Sequence, residues 1–283
     1  MGVIIGLCSA ASVAALNIFL KKLHTINPHV LTFFRVASAL PVLIVVVTFF
    51  VGWALPEKTF WLLLLGVIVP TEIVLAYVGT KSVHLSPISL MAPLGAFTSI
   101  FLIPVGYVIL GELPTTLGFL GVLIIFFGSF FLGWQRGKSI AHGLSSIMKE
   151  KGTSLALLSA LLSSITISVT KLSYEYAPPL LAAFYIYFLL TITLIPAVWY
   201  VKRRTLKGES TNILGLGVSQ ALGVMFHNIG LALMPAVYFI SIKRLSMVFN
   251  VLTGKIFFDE VHTLERFVGA TLMISGVILI AFS

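Results

Sequence analysis

Residues 234–260 read MPAVYFISIKRLSMVFNVLTGKIFFDE, and this stretch decides the class of the fold. It is apolar and long enough to cross a bilayer, for which about 20 residues suffice. Lys243 and Arg244 stand near its middle. A charge at the bilayer centre costs roughly 2.5–3.5 kcal/mol on insertion scales, so intramembrane cations face a wet cavity or a partner. A soluble helix has no need of such apolarity, and an inert anchor has no use for two adjacent cations. The stretch implies a polytopic membrane protein that holds something polar within the membrane.

Composition agrees. Of 283 residues, 59% are hydrophobic and 10% charged, and the mean hydropathy is +1.10. Soluble domains carry about 25% charged residues. The net charge of +9 does not imply a nucleic-acid partner, because the basic residues sit in short segments between apolar runs, where they act as orientation signals. Cys8 is the sole cysteine, which excludes an internal disulfide. The first apolar run has no basic segment before it and ends in Lys21–Lys22, so it reads as a retained span rather than a cleaved leader.

Ten apolar runs follow one another at roughly 3–20, 29–51, 60–82, 86–110, 115–134, 153–173, 179–201, 211–233, 235–257 and 262–282. Each suits a helix, which satisfies its own backbone in lipid; the alternation of a membrane barrel is absent. The expected fold class is an all-α polytopic membrane protein of ten transmembrane helices. The chain also repeats itself. Lys21 and Pro28 match Lys171 and Pro178 at a shift of 150, while Pro87, Gly106, Glu112, Gly121 and Gly128 match Pro235, Gly254, Glu260, Gly269 and Gly276 at a shift of 148. Residues 1–134 then form a first five-helix repeat, 135–152 a basic connecting loop and 153–283 a second repeat. Five spans is an odd number, so the second repeat enters from the opposite side, giving two inverted repeats with a site near the midplane between them. Among lysines and arginines outside the spans, all but Lys58 and Lys171 fall on one side. That side is expected to be cytoplasmic, with both termini outside.

Enzyme chemistry finds no footing. Asp259 is the one aspartate, and HExxH, GxSxG and P-loop patterns are absent, so no catalytic residues, metal or cofactor are expected. Isolated polar residues within spans remain. Glu72 in the third run corresponds to Gln220 in the eighth. It either pairs with Lys243 or Arg244, binds a cationic group, or carries a coupling proton. His227 lies seven residues after Gln220 on the same helical face and is a second proton-coupling candidate, or else a packing residue. Phe239, Lys243, Ser246 and Asn250 share one stripe of the ninth run, and Arg244 points about 100° away, to brace the helix or reach the same cavity. Guanidinium beside ammonium suits a carboxylate or phosphate. Asn17 is one-sided, its counterpart being Ile167. Tyr185, Tyr187 and Tyr238 either stack on a substrate or pack. Arg35 is expected to snorkel toward the basic side. Glu112 and Glu260 are expected to brace the turns that follow them, Lys21 and Lys171 to anchor helix ends, and Gly106, Gly254, Gly121 and Gly269 to be close-packing positions.

Together these features resemble the drug/metabolite transporter superfamily, and its EamA-type ten-span branch above all. The resemblance rests on the turns LGE (110–112) and FDE (258–260), the following GVLIIFFGSFFLG (121–133) and GATLMISGVILIAF (269–282), the K-x6-P-x6-R pattern of Lys21, Pro28 and Arg35, and ISIKRLS (240–246). It covers the whole chain and implies a multi-pass carrier of the cell membrane for small metabolites. The partners it implies are a small-molecule substrate, the lipid bilayer, and a coupling proton or counter-substrate. Lys243–Arg244 also resembles the basic pair of plastid-type sugar-phosphate translocators, but the further lysine those carriers have in the fourth helix is missing from Met91–Ala96. The expected function is a secondary transporter of an amino-acid-like or other carboxylate- or phosphate-bearing solute, with Lys243, Arg244, His227, Glu72, Gln220, Asn17, Asn250 and Tyr185 as its contacts. A sugar-phosphate or nucleotide-sugar exchanger is the alternative, ahead of a channel or membrane enzyme. The resemblance implies termini inside, against the loop charges.

Overall fold

In the computed structural model, residues 1–23, 26–75, 78, 88–133, 151–199, 209–258 and 264–283 are described. Pro87, Asp259, Glu260 and most of the basic connections at 135–152 and 202–210 lie outside them. All regular structure among the described residues is helical. Helix α1 spans Gly2–Lys22. Helix α2 comprises Pro28–Ala37 and Ala39–Val46 and runs on through a π-helical turn, Val47–Val51. Helix α3 starts as Lys58–Leu63, passes a second π-helical turn, Leu64–Ile68, and reaches Leu75. Then come α4 (Ile88–Leu110), α5 (Thr116–Gly133), α6 (Lys151–Leu172), α7 (Pro179–Trp199) and α8 (Ser210–Leu233). Helix α9 is in two pieces, Ala236–Lys243 and Ser246–Phe258, and α10 is Leu264–Ala281.

Seven of these helices are long and apolar enough to cross a membrane, and the apolar segments Leu94–Leu110, Thr116–Leu132 and Arg266–Ala281 are shorter. The protein is an integral, multi-pass membrane protein. Glycine ends two helices where the backbone turns left-handed: Gly52 after α2, with φ 87°, and Gly111 after α4, with φ 68°. A Cβ would strain both.

Helix packing repeats between the halves. Helix α1 lies on α8 and on both pieces of α9, and its counterpart α6 lies on α3 and α4. Three pairs join equivalent helices directly: α2 with α7, α4 with α9, and α5 with α10. The α5–α10 crossing is the tightest. A Cβ on Gly121 would stand 2.7 Å from the carbonyl oxygen of Gly276, and one on Gly128 would stand 2.9 Å from that of Gly269. Rising numbers on α5 meet falling numbers on α10, so these equivalent helices run antiparallel. Gly121 faces the counterpart of Gly128, and Gly128 the counterpart of Gly121, as a two-fold axis across the helices requires. Gly106 differs from the close-packing expectation: a Cβ there meets no atom within 4 Å, because that face of α4 points away from its neighbours. The surroundings of its counterpart Gly254 lie outside what is described.

Helix α9 is the axle of the bundle. Over its apolar window 56% of residues are buried inside the protein, against 22–44% for the other full-length spans. Ala236 through Ile242 are all buried and pack against α1, α4, α5 and α10. This helix is therefore screened from lipid, which is the setting in which its two cations are tolerable.

Candidate functional site

Helix α9 breaks where its cations stand. The Leu245 N–H donates to the Ile242 carbonyl and the Met247 N–H to the Arg244 carbonyl, each at 2.9 Å. These are one-turn-of-three bonds that tighten the helix between Lys243 and Ser246, and a mid-helix turn of this kind marks a functional site or hinge. Neither glycine nor proline is present to announce it. Broken helices at membrane depth occur where they line a cavity, so the break and the two cations point to the same place.

Lys243 ends the first piece of α9, and its Nζ lies 3.1 Å from His227 Nδ1 on α8. A charged ammonium donates there, which leaves the ring proton of a neutral imidazole on Nε2. The ring also meets Phe239 edge-on, with centroids 5.3 Å apart. Arg244 leaves the helix on another face, and one guanidinium nitrogen donates to the Gly95 carbonyl of α4. Position 95 is the repeat counterpart of 243. The crossing of α4 and α9 thus has a lysine on one side and, on the other, a glycine over which Arg244 fits: a Cβ at Gly95 would stand 3.1 Å from Nη1.

Glu72 on α3 feels the charges of Arg35 and Lys243, and Tyr187 on α7 feels those of Arg35 and Glu72. The Nε of Arg35 is itself buried, so the side chain turns into the bundle instead of snorkelling to the basic end. Gln220, the neutral counterpart of Glu72, donates through Nε2 to the Tyr187 hydroxyl at 3.1 Å. Asn17 on α1 donates to Asn250 Oδ1 on α9 at 3.3 Å. Lys243, His227, Glu72, Arg35, Gln220, Tyr187, Asn17 and Asn250 each keep part of their surface accessible. Polar side chains of α1, α2, α3, α7, α8 and α9 thus come together inside the bundle without being fully buried.

Two tyrosines are placed elsewhere. Tyr185 packs among Trp61, Phe184 and Phe60, with centroids 4.8, 5.4 and 5.9 Å away. Two residues on is about 200° around a helix, which brings Tyr187 to the lining in its stead. The Tyr238 hydroxyl accepts from the Thr115 N–H at 2.7 Å and belongs to the far end of the bundle. At that end Glu112 does more than brace its own turn. It pairs with Lys171 and accepts the Ala236 N–H at the start of α9 at 2.9 Å, while Lys171 donates to the Met234 carbonyl at 2.7 Å. One carboxylate from the first half thus holds two elements of the second. Sequence reasoning missed the inward turn of Arg35 and the α9 break. Arg35 carried a signal, being a cation two turns inside an apolar run; the break carried none.

Comparison with known proteins matches residues 1–134 and 150–282 separately to one family model, described as the EamA-like transporter family. No curated protein matches the chain. A solved crystal structure, described only as that of a protein, superposes with a TM-score of 0.79 at 12% identity, covering 99% of this chain and 96% of the other. At that identity the likeness is one of fold.

Proposed function

Since the chain belongs to the EamA-like transporter family, we propose that it is a secondary carrier. It moves a small polar solute with an anionic group through the lining between its two halves. The observation that carries this reading is Lys243. It is an ammonium at a helix break in the most enclosed span, held 3.1 Å from a histidine and still partly accessible. A buried cation with nothing to bind would be replaced by an apolar residue at no loss of stability. His227, Glu72, Gln220, Asn17, Asn250 and Arg244 complete the set, with Tyr187 taking the place expected of Tyr185.

Ten spans in two inverted five-helix repeats supply the mechanism. The antiparallel α5–α10 crossing and the matched packing of the halves support this arrangement. Rocking one repeat against the other would expose the lining to each side in turn. Glu72 and His227 are the groups suited to carry a coupling proton; a counter-substrate would serve the same purpose. The basic connections support a cytoplasmic position for their side.

The test is solute flux in proteoliposomes. Flux of the carried solute should saturate, and Lys243→Ala should lower it at least about tenfold, the worth of one charge-assisted hydrogen bond, with an unchanged melting profile. Unaltered flux in a folded Lys243→Ala protein sinks the assignment.

A further inference from the structure

The carrier reading does not by itself say what charge the solute bears. Arg35, Lys243 and Arg244 act on the lining, against Glu72 as the carboxylate. Three cations against one carboxylate leave two positive charges in excess. Every other aspartate and glutamate of the chain stands at or beyond the end of an apolar run. With Arg35 snorkelling outward the excess would have been one, matched by a single anionic group. Its inward turn changes the account.

The donors are unspent as well. Lys243 is engaged with His227, and Arg244 with the Gly95 carbonyl. The Nε atoms of Arg35 and Arg244 are buried without a hydrogen-bond partner. A buried guanidinium N–H without an acceptor is costly, and a bound carboxylate removes that cost while cancelling a charge. The two guanidiniums belong to different halves, on α2 and α9. Two anionic groups set apart on one solute therefore meet them better than a single doubly charged group. Resting on the carrier reading above, we propose that the solute is a small organic dianion with two separate carboxylates, one received by Arg35 and the other by Arg244. Lys243 shares their charge, and because the two carboxylates bridge the halves, the solute itself closes the lining.

The experiment uses the full-length protein in proteoliposomes. Labelled dicarboxylates of three to six carbons are compared with butyrate, alanine and glycerol phosphate. One of the dicarboxylates should be taken up, with butyrate at least about tenfold weaker. Arg35→Gln should weaken that dicarboxylate by about tenfold to a hundredfold, several times more than it weakens butyrate, and Arg35→Lys should recover part of the loss. A merely structural arginine would lower both solutes alike, and that result overturns the assignment. Uptake of alanine with no dicarboxylate carried overturns the dianion and leaves the carrier standing. Preference for glycerol phosphate over every dicarboxylate overturns the two-carboxylate arrangement. No flux of any solute, with Lys243→Ala no different from the parent, overturns the carrier itself.

Discussion

Placing an alanine at the α5–α10 crossing tests the fold most sharply. In Gly121→Ala the new methyl stands 2.7 Å from the Gly276 carbonyl oxygen and 2.9 Å from Ile280 Cγ1. Ordinary contact begins near 3.4 Å, and the first of these neighbours is backbone. No rotamer change can relieve it, so the helices must separate by about 0.7 Å along the crossing. Overpacking of this kind costs about 1–3 kcal/mol. Glycine to alanine within a helix returns about 1 kcal/mol of propensity, so the clean comparison is Gly106→Ala, which gains the same propensity and meets nothing within 4 Å. The two variants should differ by about 1–3 kcal/mol in reversible denaturation in mixed detergent, or roughly 2–5 °C in melting temperature. Gly276→Ala should match Gly121→Ala, since its methyl would stand 2.7 Å from the Gly121 carbonyl oxygen. The double variant should cost less than the sum, because helices already parted have room for the second methyl. Equal melting of Gly121→Ala and Gly106→Ala would refute both the tight crossing and the symmetry argued from it.

Other consequences follow from single contacts. Lys171→Met leaves Glu112 half-buried and without its cation, so it should lower stability by about 1–3 kcal/mol, whereas Lys171→Arg should restore most of it; denaturation in detergent reads both. Tyr187→Phe removes the acceptor of Gln220 and should reduce solute affinity severalfold in an uptake assay, while Tyr185→Phe, within an aromatic cluster, should leave affinity unchanged. Gly95→Val crowds the Arg244 guanidinium and should impair uptake more than Gly66→Val, where a Cβ meets nothing within 4 Å.

Much of this was legible in the sequence for one physical reason: lipid fixes the secondary structure. An apolar run long enough to span must be a helix, so the order of elements could be read without tertiary knowledge. The glycines at a shift of 148 were legible too, because a repeat that crosses its twin needs the same small residue twice at the contact. Gly106 shows the limit of that argument, as a repeated glycine marks a helix but not which of its faces is covered. Rotational phase is likewise set by neighbours. Arg35 and Tyr187 face the lining because α2 packs against α7 and α8, and no property of their own segments fixes this. The α9 break has neither glycine nor proline beside it in the sequence, so it had no local signature.

A symmetric scaffold here carries an asymmetric site, and the difference can be put to work. Packing pairs α4 with α9 and α5 with α10 across the two-fold relation, yet Lys243 stands opposite Gly95, Glu72 opposite Gln220 and Asn17 opposite Ile167. On the proposed carrier reading the scaffold needs likeness, since two states of similar energy come from halves that can exchange roles. The lining needs unlikeness, since a solute must be held one way round. Exchanging the charge across the relation, as Glu72→Gln with Gln220→Glu, separates these demands. Each position receives a side chain of nearly the same shape, so the double variant should melt within about 2 °C of the parent, a small step for isosteric exchange. Its carboxylate, however, would face the Tyr187 hydroxyl that now receives Gln220, and Arg35 would lose the partner whose charge it feels at Glu72. Uptake should fall at least about tenfold. Full uptake by the exchanged protein would mean that only the total charge of the lining matters, and that the one-sided placement of Glu72 has no part in holding the solute.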